Sequence, residues 1–84
     1  MYKVEWTEWA KKDLKKIERL LAEKIAYEVE THLVKNPTEL GKPLTGERKG
    51  QWRYRFSKYR VIYRIEQSQL LILVLEAGHR REVY

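Results

Sequence analysis

Residues 52 to 56 read Trp-Arg-Tyr-Arg-Phe, an alternation that on a β-strand sends Arg53 and Arg55 to one face and three aromatic rings to the other. Arg48 and Lys49 lie just before this run, Lys58 just after it, and Arg60 and Arg64 follow in a second alternating run. The last residues add His79, Arg80, Arg81 and Tyr84. Guanidinium groups present a planar fork that matches phosphate oxygens, so this set suits the binding of a phosphate and the stabilisation of charge collecting on it. An imidazole beside that phosphate could move a proton near neutral pH. A terminal aromatic past two arginines could stack on a base or hold a phosphate oxygen.

The charge is unevenly placed. Residues 1 to 47 carry nine basic and nine acidic side chains, so the whole formal charge of +6 comes from residues 48 to 84, where Glu66, Glu76 and Glu82 are the acids. Seven of the eight arginines fall in that second part. One half reads as a neutral scaffold and the other as a cationic face for a phosphate-rich partner. The absence of cysteine excludes a disulfide framework and a thiolate metal site, and His32 and His79 are too few for a zinc site built from protein alone. No cofactor or metal is expected. The opening residues lack a signal-peptide pattern and no apolar run is long enough to span a bilayer, so the cytoplasm is the expected compartment and no membrane partner is expected. No nucleotide-binding glycine loop, serine nucleophile motif or carboxylate pair at useful spacing is present.

At 84 residues the chain is expected to form a single domain over 1–84, with an open working surface and not an enclosed pocket. Tyr2, Val4 and Trp6 alternate with Lys3 and Glu5 as a strand, and Thr7 is placed to cap a helix. From Glu8 to Lys35 there is neither Gly nor Pro, and Ala10, Leu14, Ile17, Leu21, Ile25, Val29 and Leu33 recur at helical spacing. One straight helix there would be roughly 42 Å long, more than a small domain accommodates, so a reversal near Glu18 to Leu21 and hence a helical hairpin are expected. Asn36-Pro37 should end the second helix, and Gly41, Pro43, Gly46 and Gly50 mark the loop after it.

Residues 51 to 56, 59 to 65 and 70 to 76 read as three strands of an antiparallel meander. A two-residue turn at Ser57-Lys58 would oppose Phe56 to Tyr59, Arg55 to Arg60, Tyr54 to Val61 and Trp52 to Tyr63. A three-residue loop is the alternative, because neither turn residue favours positive φ. The paired register leaves Trp52, Tyr54, Phe56, Tyr59, Val61, Tyr63, Ile65, Leu70, Ile72 and Val74 for the helices to cover and sets Arg53, Arg55, Arg60 and Arg64 on the other face. Like charges directly across a sheet repel, and an anion between Arg55 and Arg60 would explain their placement. Residues 77 to 84 should leave the third strand through Gly78 and follow the sheet edge. His32, on the flank of the helical stripe, is assigned no role.

Leu44-Thr45-Gly46, Trp52-Arg53-Tyr54-Arg55, Tyr59-Arg60-Val61-Ile62-Tyr63 and Gly78-His79-Arg80-Arg81-Glu82-Val83-Tyr84, in this order, resemble the motifs of the RelE branch of the RelE/ParE toxin superfamily. The resemblance covers the whole chain. It implies an α+β fold, an N-terminal strand and helical hairpin packed on an antiparallel sheet, and the toxin of a type II toxin-antitoxin system. The implied activity is a ribosome-dependent endoribonuclease (mRNA interferase) that cuts translated mRNA in the A site without metal. The ribosome and mRNA, together with an acidic RelB-like antitoxin, are the implied partners.

By resemblance Arg60 holds the scissile phosphate, Arg80 stabilises or protonates the leaving oxygen, and Tyr84 stacks on or orients the nucleotide. Arg53, Arg55, Arg48, Lys49, Lys58, Arg64 and Arg81 form the surrounding RNA-binding set. Arg53 and Arg55 stand where the best-known branch has lysines, and an arginine does not surrender its proton. The proton of the 2′-hydroxyl must then go to His79, Lys49 or Lys58, and His79 is the expected base. The alternatives are a gyrase-poisoning ParE-like toxin of the same fold and a non-catalytic RNA-binding module.

Overall fold

The computed structural model of the chain describes residues 2–79. Strand β1 (Lys3–Trp6) leads into helix α1 (Glu8–Lys15), then α2 (Arg19–Glu28), which continues as a π-helical turn over Val29–Leu33. A short helix α3 (Pro37–Leu40) precedes β2 (Lys42–Pro43), β3 (Trp52–Phe56), β4 (Tyr59–Glu66) and β5 (Leu71–His79). The sheet order is β1-β5-β4-β3-β2, with β1 parallel to β5 and the other neighbours antiparallel. The three-stranded meander is therefore as expected, but it lies inside a five-stranded mixed sheet. Strand β2, in a segment read from sequence as loop, is only two residues long. Its Pro43 stands at the edge of the sheet, where a missing amide is tolerated. None of the described helices is long and apolar enough to cross a membrane.

The helical hairpin forms with its break slightly earlier than the spacing predicts. The domain's longest extent is 33 Å, too short for one continuous helical rod. Lys16 closes α1, and Glu18 caps α2 by accepting the amides of Leu20 and Leu21 on its two carboxylate oxygens, each at 3.3 Å. Thr7 caps α1 as expected, accepting the Ala10 amide at 3.2 Å. The second helix ends at Leu33, before Asn36-Pro37, which instead starts α3. Trp6 ties β1 to the π-helical turn by donating its indole N–H to Glu30 at 3.0 Å.

The core lies between the helices and one sheet face. Ala10, Ile25, Val29 and Leu33 meet Val61, Tyr63, Ile72, Val74 and Ala77, with Leu14, Ile17, Trp52, Tyr54, Phe56, Tyr59 and Ile65 packed around them. Leu70 departs from the expected face: it is 50% exposed and takes a left-handed conformation, φ 50°, that ends the β4–β5 turn. Tyr63 is fully buried, and its hydroxyl donates to the Pro37 carbonyl at 2.6 Å. A Cβ at Gly41 would overlap that hydroxyl, so the glycine lets α3 and β2 close on the sheet. Burial pushes the Tyr63 phenol well above its ordinary pKa, with the nearby Tyr54 adding to the shift.

The β3–β4 turn has two residues. Phe56 opposes Tyr59 and Arg55 opposes Arg60, with Ser57 at φ 56° supplying the positive angle that the sequence did not advertise. Between β4 and β5 the register slips at Ile62/Tyr63: Ile62 opposes Glu76 whereas Tyr63 opposes Val74, leaving Leu75 as the extra residue of a bulge. Ala77, Gly78 and His79 continue β5 beside β4 and do not leave the strand at Gly78. The bulge supplies the reason, because it restores pairing and carries the ladder to Tyr59↔His79.

A candidate RNA-binding face on the open side of the sheet

Strand alternation and register build the face. On β4, Val61 and Tyr63 point into the core, so Arg60, Ile62 and Arg64 point the other way; on β3, Arg53 and Arg55 join them across the ladder pairs Arg53↔Ile62 and Arg55↔Arg60. The expected cluster of Arg53, Arg55, Arg60 and Arg64 is thus brought together on the side opposite the helices. Ile62 is completely buried yet stands outside the main core cluster, so it forms a small apolar floor among these side chains. The Nε atoms of Arg53 and Arg60 are enclosed against solvent, whereas Arg55 is exposed. Opposite Arg60 on β5 stands Gly78, which places no side chain beside the guanidinium.

The remaining basic residues divide. Arg48, in a 3₁₀ turn over Gly46–Arg48, donates to Glu76 at 2.8 Å and to Gln51 at 3.2 Å, so its charge is matched within the protein. Arg64 lies 3.8 Å from Glu66, both well exposed, a geometry that contributes little to stability. Lys49 and Lys58 are exposed in the turns at either end of β3. Arg80, Arg81 and Tyr84 lie outside the described residues.

His79 is not on the arginine face. It opposes Tyr59, whose ring belongs to the helix-covered side, and the two rings meet edge to face at 5.8 Å. Asp13, Lys16, Ile17 and Glu18 from the end of α1 and the cap of α2 line a cavity of about 390 Å³ with these rings. The expectation that His79 stands beside a phosphate held by Arg60 is therefore corrected. The bulge is the cause: one extra residue exchanges the faces of β5, turning 76 and 78 toward the arginines and 77 and 79 toward the helices. No sequence pattern marked that bulge. His32 is exposed and lies 3.5 Å from Glu28, in keeping with a helix-flank residue. Burial, with Glu28 nearby, raises the pKa of the Tyr54 phenol, so that ring stays neutral in the core layer beneath the arginines.

Two interactions that the sequence reading did not anticipate hold the bulge in place. Strand β1 stops at Trp6, opposite Val74, so among the described residues no strand lies beside the outer edge of β5 beyond Val74. Residues of α1 and its cap take over. Thr7 donates its hydroxyl to the Val74 carbonyl at 2.8 Å, and Asp13 accepts the Ala77 amide at 3.1 Å. A Thr-x5-Asp spacing across a helix start is the only sequence trace of this arrangement, and it becomes meaningful once β5 is known to lie beneath the helix.

Residues 4–84 match the family described as the ParE toxin of type II toxin-antitoxin systems. Toxin RelG of Mycobacterium tuberculosis is 33% identical over 84 residues, covering 99% of this chain and 95% of the relative. The crystal structure of the RelBE2 toxin-antitoxin complex from the same organism superposes with a TM-score of 0.90 at 30% identity, covering 94% of this chain and 98% of that one. The intact RelBE toxin-antitoxin complex of E. coli shares the fold, with a TM-score of 0.76 at 20% identity over 94% of this chain and 96% of that one. With both the sequence and the five-stranded fold in agreement, the chain belongs to the RelE/ParE family of type II toxin-antitoxin toxins.

Proposed function

We infer that this toxin is a ribosome-dependent endoribonuclease of the RelE kind that cuts translated mRNA in the cytoplasm. One observation carries the reading: Arg53, Arg55 and Arg60 converge on an open sheet face, with Arg55 and Arg60 directly opposed, a concentration of guanidinium groups that suits an RNA backbone. In the reaction the 2′-hydroxyl attacks the adjacent phosphorus, the bond to the 5′-oxygen breaks, and the products are a 2′,3′-cyclic phosphate and a 5′-hydroxyl. Arg60 would hold the phosphate as charge builds on its oxygens, Arg53 and Arg55 would fix the neighbouring backbone, and Arg80 and Tyr84 would serve the leaving oxygen and the nucleotide. The arginines would take the place of a metal ion at the scissile phosphate.

The proton of the 2′-hydroxyl needs an acceptor on the arginine side of the sheet. Lys49, Lys58 or a ribosomal group fits that requirement better than His79, which lies across the sheet from Arg60. The open face also explains dependence on the ribosome, since a shallow surface orients a flexible strand poorly by itself. An acidic RelB-like antitoxin is proposed to hold the toxin inactive by covering part of the basic half. The affinity of that complex should then fall as salt rises.

Induction of the toxin, followed by primer extension on translated and untranslated transcripts, tests the reading. Breaks inside translated codons, with little cutting of naked RNA, are expected. The family description as ParE favours a specific second reading, a gyrase poison on the same fold. Intact mRNA together with gyrase-dependent DNA breaks would establish that reading in place of the first.

A further inference from the structure

Beside the arginine cluster the open face continues into a groove of about 800 Å³, bounded by Trp9 on α1 and Gln51 before β3, with Leu73 and Leu75 of β5 at its base. Leu73 opposes Arg64, so groove and arginines share one face of the sheet. Trp9 is 68% exposed, the most exposed large apolar side chain among the described residues. Tryptophan is seldom left so open, because its indole offers more apolar area for burial than any other side chain. The bonds from Thr7 to the Val74 and Leu75 carbonyls start α1 directly beside the bulge and so set Trp9 over this part of β5.

The groove holds three carboxylates, which alone would repel a phosphate. Glu76 is matched by Arg48 and Glu66 lies near Arg64, whereas Asp13 is held by the neutral Ala77 amide, so the groove suits an uncharged ring and not a phosphate. Such a ring would meet the indole face of Trp9 and a floor of Leu73 and Leu75, next to the arginines proposed to hold phosphates. We propose that this groove is a base-stacking subsite, in which Trp9 takes a nucleobase of the single-stranded RNA whose backbone lies on Arg53, Arg55 and Arg60. The proposal rests on the nucleic-acid reading above and extends it to a specific residue. Proteins that bind single strands combine these two elements, a basic track for the backbone and an aromatic platform for the bases.

The test is a titration of the full chain with a mixed-sequence single-stranded RNA of about ten nucleotides at low salt, without ribosomes. The variants are Trp9→Ala, Trp9→Phe and Arg55→Ala, each first shown by thermal unfolding to be folded. Trp9→Ala should weaken binding by roughly tenfold with the dependence on salt unchanged, and Trp9→Phe should retain most of the affinity. Tryptophan fluorescence should be quenched by RNA in the wild type and less so in Trp9→Phe. If Arg55→Ala weakens binding while both Trp9 variants bind as the wild type, the subsite is wrong and the nucleic-acid reading stands. If the wild type itself binds no RNA, the subsite falls, and the nuclease reading is decided separately by primer extension on translated transcripts. If Trp9→Ala weakens only the complex with the antitoxin, the groove belongs to a protein partner and the proposal is overturned.

Discussion

Asp13 on α1 and Ala77 on β5 are joined by a hydrogen bond of 3.1 Å, the backbone amide donating to Oδ2 of the carboxylate. It forms where β5 has outrun β1, and it acts from the helix side on the same bulge that the Arg48–Glu76 pair grips from the open side. The strand that carries Gly78 past Arg60 is thus fixed from both of its faces. Replacing Asp13 by Ala would strand a partly buried amide, at a cost of about 1–3 kcal/mol. Asp13→Asn keeps a carbonyl acceptor and should recover much of the loss. Urea unfolding of the three proteins measures this, and the Ala77 amide should exchange faster with solvent in Asp13→Ala alone.

Tyr63 provides a prediction in the alkaline range. Its phenol is held above its ordinary value of 10.0, mainly by burial. A tyrosine whose pKa is raised by folding contributes stability that is complete below the unfolded pKa and is lost as pH rises toward the folded one, because only the unfolded chain releases the proton. The wild type should therefore lose up to about 1.4 kcal/mol per pH unit above pH 10 from this group. Tyr63→Phe should be less stable at neutral pH, since the buried Pro37 carbonyl loses its donor, yet show a shallower alkaline decline. Equal slopes in the two proteins would contradict the account.

Much of this architecture is legible from the sequence because it follows from period and punctuation. The stripe from Ala10 to Leu33 and the alternation from Trp52 to Ile65 each point one way, and the arginine cluster follows from the second of them. The missed features depend on contacts distant in sequence. The parallel pairing of β1 with β5, the two-residue β2 and the bulge at Leu75 each need a partner strand that no local pattern names. Leu70 shows a tertiary demand overriding preference, an apolar residue held half-exposed in a left-handed conformation. Leu70→Asn should consequently stabilise the protein by up to about 1 kcal/mol, read as a higher urea midpoint, because asparagine tolerates that conformation better.

The arginines should separate into those facing the ligand and those serving the fold. Arg60→Ala should reduce cleavage on the ribosome by about 10² to 10³, the loss expected of a group aimed at developing negative charge, while leaving thermal stability little changed. Arg55→Ala should lower RNA affinity and reduce the steepness of its salt dependence by about 0.7, the value for one phosphate contact on a single strand. Arg48, already matched by Glu76, should leave that steepness nearly unchanged when replaced by Ala. Binding isotherms over a range of salt concentrations distinguish these roles, and an Arg48 variant with the larger slope change would reverse the assignment.

His79 provides the sharpest contrast between reading the sequence and reading the fold. Placed by sequence beside Arg80, it is the obvious acceptor for the 2′-hydroxyl proton; placed by the bulge, its ring packs on Tyr59 beneath the helices while Arg60 faces the opposite way. An imidazole base would make the rate of the chemical step rise with pH through the range in which histidine titrates, and its replacement would flatten that limb. From the geometry, His79→Gln should keep the wild-type pH profile in single-turnover cleavage on the ribosome, with any loss appearing instead in thermal stability through the disturbed contact with Tyr59. Lys49→Ala and Lys58→Ala, in the exposed turns flanking β3, are the variants expected to alter the profile if the toxin supplies the base itself. A flattened limb in His79→Gln, with folding intact, would mean that the strand turns over on the ribosome to bring the imidazole to the arginine face.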